Sequence, residues 1–104
     1  GVDIFSKKED LRHGLDDMRL ALELLLKHLL SNEKSLENQN SDLGVYLKKA
    51  GISKEISNTF FQIKGLYEKF QNNNVKHDDN INPKEVEYIF QQTLCFMNLL
   101  LKVQ

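Results

Sequence analysis

Apolar residues recur at steps of three and four along the first part of the chain, which is the spacing of one face of an α-helix. The apolar stripe consists of Leu11, Leu15, Met18, Leu22, Leu25 and Leu29. Upstream of it, Ser6 and Glu9 have the spacing of a capping box, in which two side chains satisfy backbone groups at a helix start. The pattern predicts a helix from Lys7 to Leu30.

Three further leucines, Leu20, Leu24 and Leu26, fall outside this stripe. The second half of the helix is therefore apolar around most of its circumference, which is typical of a helix buried on more than one side. One long helix in a chain of 104 residues rarely finds enough partners within the chain to cover it. We expect a subunit interface here, and hence a homodimer; burial within a monomer is the alternative.

Two shorter elements follow a polar stretch that reaches to Asn40 and predicts a mobile loop. The first is a short helix from Asp42 to Ala50, with Gly51 at the position where glycine often ends a helix. Ser53 can cap a third helix, whose apolar stripe is Ile56, Phe60, Ile63, Tyr67 and Phe70. Gly65 either weakens this helix by about 1 kcal/mol relative to alanine or lets another backbone approach closely.

The last helix has the clearest start signal in the sequence. Asn82 suits the N-cap, Pro83 the first helical position and Glu85 the first turn. The apolar pattern then continues to Lys102, and no segment alternates as a strand would. The sequence predicts an all-α fold, a four-helix up-and-down bundle with three long helices and one short, forming a single domain over residues 1–104. The start at Gly1 without methionine is compatible with a domain excised from a larger parent protein.

Charge and composition exclude several classes of function. Fourteen basic and fifteen acidic side chains give a net charge of −1, which provides no overall attraction to nucleic acid or membrane. Locally, residues 44–76 carry six lysines against Glu55 and Glu68, which favours a phosphate-bearing partner, although solvated helix faces have the same pattern. The polar start predicts no signal peptide, the apolar runs are too short to cross a membrane, and we expect a cytoplasmic protein. Cys95, the only cysteine, is expected to be buried.

Most familiar catalytic and cofactor motifs are missing. The chain has no glycine-rich phosphate loop, no paired cysteines for zinc and no nucleophile elbow, so we expect no cofactor. His13 is expected on a solvated helix face. Glu23 and Lys27 are spaced as an ion pair on a helix surface, or they orient polar groups at an interface.

One polar segment, from Gln71 to Asp79, concentrates amide, ammonium, imidazole and carboxylate groups. His77 within it can act as an acid, a base or a ligand near neutral pH. Asp78 and Asp79 follow directly, but adjacent residues rarely converge on one ion, so we expect no metal site. A polar turn that caps two helices is the alternative interpretation.

Four features together resemble the HEPN superfamily, in its Abi-like and stand-alone branches. They are the long opening helix, a polar connector leading to the short helix Leu43–Gly51, an aromatic-rich helix that runs from Tyr67 into the Asn72–His77 segment, and a closing helix with the acidic start Glu85-Val86-Glu87. The resemblance covers nearly the whole chain. It implies a helical bundle that dimerises, in a prokaryotic defence or toxin–antitoxin setting.

Many members of that superfamily are metal-independent ribonucleases, with an arginine five to seven positions before a histidine. His77 matches the histidine, and Asn72 or Asn73 matches the polar residue after the arginine. The arginine itself is missing, because positions 70, 71 and 72 are Phe, Gln and Asn. Glutamine cannot form the charged two-pronged contact that a guanidinium makes with phosphate. The departure predicts a non-catalytic module that binds RNA or a nucleotide.

The residues predicted to bind this RNA or nucleotide are Lys69, Gln71, Asn72, Asn73 and Lys76, with His77 as the candidate catalytic group. We expect them to line a polar groove at the dimer seam. Two alternatives stay open: an active endoribonuclease that uses His77 with a lysine or a displaced arginine, and a purely structural helical interaction domain.

Overall fold

A computed structural model describes residues 8–71 and 82–104, and every regular element in these two ranges is helical. The elements are α1 (Lys8–Leu30), a 3₁₀ turn (Leu36–Asn38), α2 (Asn40–Lys49), α3 (Lys54–Ser57), α4 (Thr59–Gln71) and α5 (Pro83–Lys102). The prediction of an all-α bundle with three long helices and a short one is confirmed. Ser6, proposed as the cap of the first helix, lies outside the described residues.

The third predicted helix is divided at Asn58 into the single turn α3 and the longer α4. Ser53 caps α3 as expected, because its hydroxyl accepts a hydrogen bond from the Ile56 amide at 3.3 Å. However, Ile56 is 46% exposed, so its assignment to the buried stripe is wrong. The Phe61 amide bonds the Asn58 carbonyl three residues back, and this tighter winding turns Ile56 away from the face that begins at Phe60.

The core is formed where α1, α4 and α5 face one another. Its members include Leu11, Leu15, Leu22 and Leu26 from α1, Phe60, Ile63 and Tyr67 from α4, and Val86, Ile89, Phe96 and Leu100 from α5. Leu26 is completely buried, so its placement outside the main stripe was wrong. The buried face of α1 is turned slightly from the predicted one, since Leu25 is only partly buried.

Two contacts between α4 and α5 set their relative direction. The rings of Phe60 and Phe96 stack with centroids 5.7 Å apart, and the hydroxyls of Tyr67 and Thr93 lie 2.6 Å apart. Residue numbers rise along α4 as they fall along α5, so the two helices are antiparallel. The end of α4 and the start of α5 therefore lie at the same end of the bundle.

α1 runs parallel to α5. A Cβ built on Gly14, in the first half of α1, would lie 2.9 Å from the Phe90 ring in the first half of α5. At the other end, the Tyr46 hydroxyl of α2 donates to the Leu100 carbonyl at 3.1 Å, and α2 itself begins beside the end of α1. The three long helices thus alternate in direction. Because Gly14 has no side chain, the Phe90 ring of α5 can approach α1 closely.

The connector between α1 and α2 differs from the predicted mobile loop. Gln39 is completely buried, and its side-chain amide exchanges two hydrogen bonds of 2.9 Å with the amide of Asn32. The Gln39 amide group also donates to the Lys34 carbonyl at 3.0 Å. Asn32 in turn donates to Asp42, and the hydrogen bonds from Lys34 and Asn32 lower the pKa of that carboxyl. The connector is therefore tied to both helices that it joins.

Glu23 on α1 holds the same connector from the other side. One of its carboxylate oxygens accepts a 3.0 Å hydrogen bond from the Leu36 amide, at the start of the 3₁₀ turn. The other oxygen lies 3.6 Å from the Lys27 amine, so the predicted ion pair is present. Leu36 is 1% exposed, and the Glu23 bond thus fixes a turn whose apolar side chain belongs to the core.

Both predicted helix boundaries around Gly51 and Asn82 are confirmed. Gly51 has φ +80°, and the amides of Gly51 and Ile52 bond the carbonyls of Lys48 and Leu47, which is the Schellman arrangement. At the start of α5, the Asn82 side chain accepts from the Lys84 amide at 2.9 Å.

Two helical glycines offer a direct test of the α1–α5 contact. A Cβ built on Gly65 meets nothing within 4 Å, so Gly65→Ala should raise the free energy of unfolding in urea by about 1 kcal/mol through helix propensity. Gly14→Ala should raise the free energy of unfolding clearly less than Gly65→Ala does, because the Phe90 ring must move to make room for the new methyl group. Equal gains for the two variants would contradict the packing of Phe90 on Gly14.

The buried Tyr67 hydroxyl predicts a loss of stability at alkaline pH. Thr93 already donates its own hydrogen to the Ile89 carbonyl at 2.8 Å, so Tyr67 is the donor in their shared bond. Burial raises the pKa of Tyr67 to about 12, against about 10 in the unfolded chain. The folded state thus keeps a proton that the unfolded state releases, and this contribution is lost as pH rises from about 10 to 12.

Urea unfolding of Tyr67→Phe between neutral pH and pH of about 11 measures this effect. At neutral pH, Tyr67→Phe should have a free energy of unfolding about 1 kcal/mol lower than that of the parent chain. As pH rises towards about 11, its free energy of unfolding should decline less steeply than that of the parent chain. Tyr88→Phe is the matched control, since it removes the same hydroxyl from a side chain that is 56% exposed. Parallel declines in the parent chain and in Tyr67→Phe would refute the assignment.

Candidate functional site

Most of the residues predicted to bind RNA cannot be placed in the bundle. Asn72, Asn73, Lys76 and His77 lie outside the described residues, as do Asp78 and Asp79. Gln71 is the last residue of α4. Lys69 is exposed on α4, with its amine 5.9 Å from the centroid of the Phe70 ring. The groove at a dimer seam therefore stays a prediction. Of the residues predicted to line it, the structure describes only Lys69 and the backbone of Gln71, at the end of α4.

The lysines that the structure describes between residues 44 and 71 do not form one patch. The Lys64 amine donates to the Asn40 side chain at 3.1 Å and lies 5.7 Å from the Phe61 ring centroid, so it belongs to the α2–α4 contact. Lys69 lies towards the far end of α4, about 15 Å along the helix from its start. Lys48 and Lys54, by contrast, meet around a single cleft.

This cleft lies between α2, α3 and the first turn of α4 and has a volume of about 420 Å³. It is lined by Gly44, Lys48, Ile52, Lys54, Ser57, Asn58 and Phe61. Most of the lining surface is carbon, and the lining contains two cationic side chains and no acidic one. Clefts of this size, apolar with a few polar groups, are typical of small-molecule sites.

Local geometry explains why the cleft is open. Gly44 and Lys48 are one turn apart on α2 and therefore face the same side. The left-handed turn at Gly51 reverses the chain, so that Ile52 and α3 return alongside that face. A Cβ built on Gly44 would meet nothing within 4 Å, and so no neighbouring side chain fills the space above it.

Sequence reasoning missed this cleft because its lining comes from three short elements and two turns. The only local signal is Gly44 itself, which stands inside a short helix where glycine costs about 1 kcal/mol relative to alanine. Nothing in the hydrophobic pattern shows that α3 packs beside α2.

The solvent-facing side of α1 carries a second candidate surface. Leu20 and Leu24, one turn apart, are 49% and 53% exposed. They are two of the three leucines predicted to need cover from another subunit. On α5, Leu94 and Leu101 are also exposed, and their spacing of seven residues places them on one helix face.

Two smaller predictions, for His13 and Cys95, can be compared directly with the structure. His13 is exposed, as expected. Cys95 is exposed as well, so the prediction of a buried cysteine is wrong: the core face of α5 passes through Thr93 and Phe96 and leaves Cys95 to one side. Among the described residues, no group of three or more His, Cys, Asp or Glu side chains could hold a metal ion. In the same two ranges, no helix is long and apolar enough to span a membrane.

Comparisons with protein-family models, with curated proteins and with solved structures find no match to this chain. The resemblance to the HEPN superfamily therefore depends on the sequence pattern alone.

Proposed function

We propose that this chain is a non-catalytic, HEPN-like module that self-associates and binds RNA or a nucleotide in a prokaryotic defence or toxin–antitoxin setting. The observation that carries the proposal is the separation of charge. Between residues 44 and 71, five lysines stand against Glu55 and Glu68, although the whole chain has a net charge of −1. The excess of positive charge thus lies on α2 to α4, although it is divided between the cleft and the far end of α4. Lys69 at that far end leads into the predicted binding segment, and its charge favours a phosphate-bearing ligand there.

Self-association is supported by the apolar side chains that α1 leaves in solvent. Leu20 and Leu24 form an exposed pair on a helix whose opposite face is already buried in the core. Apolar side chains that lie together in solvent lose this exposure when a protein partner covers them, and that loss favours association. A second copy of the chain is the partner that the resemblance implies.

The absence of catalysis is supported by the positions of the arginines. Arg12 and Arg19 are the only two in the chain. Arg19 bonds Glu37 and lies 3.7 Å from Glu23, so its guanidinium is engaged with the connector rather than with a phosphate site. Loss of one donor that stabilises transition-state charge costs about 10²–10³ in rate.

Sedimentation of the parent chain at micromolar concentration should give about twice the monomer mass, since two copies cover their exposed α1 faces. Replacing the leucine pair in Leu20→Gln/Leu24→Gln should yield a monomer with unchanged helicity, because both side chains are exposed. Ile56→Gln is the matched control, at an apolar residue that is 46% exposed elsewhere. A parent chain that stays monomeric at high micromolar concentration excludes the dimer.

Fluorescence anisotropy with single-stranded RNA, in the presence of a chelator, tests the ligand. The logarithm of the binding constant should fall linearly with the logarithm of salt concentration, and Lys69→Gln and Lys76→Gln should each reduce that slope by about 0.7, the value for one phosphate contact on a single strand. Lys102→Gln, at the end of α5, is the control and should leave the slope unchanged. Binding that does not respond to salt would count against RNA.

The same samples report on catalysis. We expect the RNA to remain intact, since the arginine that would stabilise the developing charge is missing. Robust cleavage that disappears in His77→Ala would instead establish the ribonuclease alternative.

A further inference from the structure

We propose that the cleft between α2, α3 and α4 binds a small organic anion with an apolar body, such as an acyl or aryl carboxylate. This ligand differs from RNA, and the inference does not depend on the proposed function. It is derived from three properties of the cleft: its apolar walls, its cationic rim and the open space above Gly44.

The walls suit an apolar body. Ile52 and Phe61 contribute the large side chains of the lining, and Phe61 is 45% exposed although it follows a completely packed neighbour, Phe60. Leaving an aromatic ring half in water forfeits part of its burial energy, which a ligand recovers by covering it. The volume of about 420 Å³ lies within the range of sites for small organic molecules.

The rim suits an anionic head group. Lys48 on α2 and Lys54 on α3 both line the cleft, and both residues are exposed. Within the described ranges, neither amine has a carboxylate partner, since the ion pairs of this chain involve other residues. Since the lining itself contains two lysines and no acidic side chain, its rim favours a carboxylate over a cation.

The chemistry of the lining favours an apolar body over a nucleobase. A base is recognised by hydrogen bonds to its edges as well as by stacking, and only Ser57 and Asn58 offer uncharged polar side chains here. The Ser57 hydroxyl is already used, because it donates to the Ser53 carbonyl at 3.1 Å.

Gly44 makes the space available without any rearrangement. It lies in the middle of α2, and a Cβ at this position meets nothing within 4 Å. A larger side chain would thus occupy the cleft and leave the helix intact. The cleft is therefore preformed, which reduces the entropic cost of binding.

Titration of the parent chain with octanoate, followed by amide chemical shifts, tests the proposal. We expect saturable shifts centred on Gly44, Ile52 and Phe61, and binding of octanol about tenfold weaker because the alcohol lacks the charge. Inorganic phosphate, which has the charge without the apolar body, should cause no saturable shift at these amides.

Substitutions at Gly44 and at the two rim lysines test the open space and the positive charge of the cleft separately. Gly44→Leu should abolish octanoate binding, whereas Gly65→Leu, at the other open helical glycine, should leave it unchanged. Lys48→Gln/Lys54→Gln should weaken octanoate about tenfold and leave octanol unaffected. The lysine pair keeps the test decisive even if Gly44→Leu fails to fold, which circular dichroism reports.

Three results would overturn the inference. These are the absence of saturable octanoate shifts, equal affinity for octanol and octanoate, or octanoate binding that persists in a folded Gly44→Leu variant. Adenosine monophosphate provides the remaining comparison: if it saturates these amides and octanoate does not, the cleft takes a nucleotide and the organic-anion assignment is wrong. Loss of RNA binding in Lys69→Gln, by contrast, bears only on the proposed function.

Discussion

The paired side-chain amides of Asn32 and Gln39 are the constraint on which the arrangement of the other helices depends. Gln39 is completely buried, and burial of an amide is costly unless its polar atoms find partners. Here the oxygen and the nitrogen of Gln39 are both satisfied, by Asn32 and by the Lys34 carbonyl. To bring Asn32 into this position, Ser31 adopts a left-handed φ of 53°, a conformation that usually requires glycine. The amide pair therefore compensates a strained turn and fixes where α2 begins.

The position of α2 determines the cleft. With α2 anchored at Gln39, Lys64 of α4 can reach Asn40, and Tyr46 can reach the end of α5. The Schellman turn at Gly51 then returns the chain along α2 and creates the cleft. The cleft therefore exists because a polar connector packs on the end of α1 and positions α2, and the apolar core alone would not create it.

Much of the fold could be predicted from local signals, and the errors have a common physical origin. The ends of helices at Gly51, Ser53 and Asn82 were predictable because each depends on a few neighbouring residues whose backbone chemistry is specific. The errors at Leu26, Ile56 and Cys95 concern which way a side chain faces, and this depends on small rotations set by the packing partner. The burial of Gln39 was missed because a polar stretch gives no sign that its amides will pair with one another. The cleft was missed for a related reason: its lining lies entirely between residues 44 and 61, but no pattern in the sequence reports that α3 folds back beside α2.

The leucine pair on α1 and the cleft on α2 to α4 differ in chemistry and in location. This difference determines whether contact between copies can affect ligand binding. The leucines at 20 and 24 are on α1 and are purely apolar, which suits an uncharged contact between copies. The cleft is on α2 to α4 and combines lysines with a half-exposed Phe61. Since a contact through α1 would use none of the residues that line the cleft, self-association leaves the cleft accessible. Each copy in a dimer would then carry its own cleft, and ligand affinity should not depend on protein concentration. A dependence of octanoate affinity on protein concentration would mean that the α1 contact and the cleft are coupled, through the connector that joins α1 to α2.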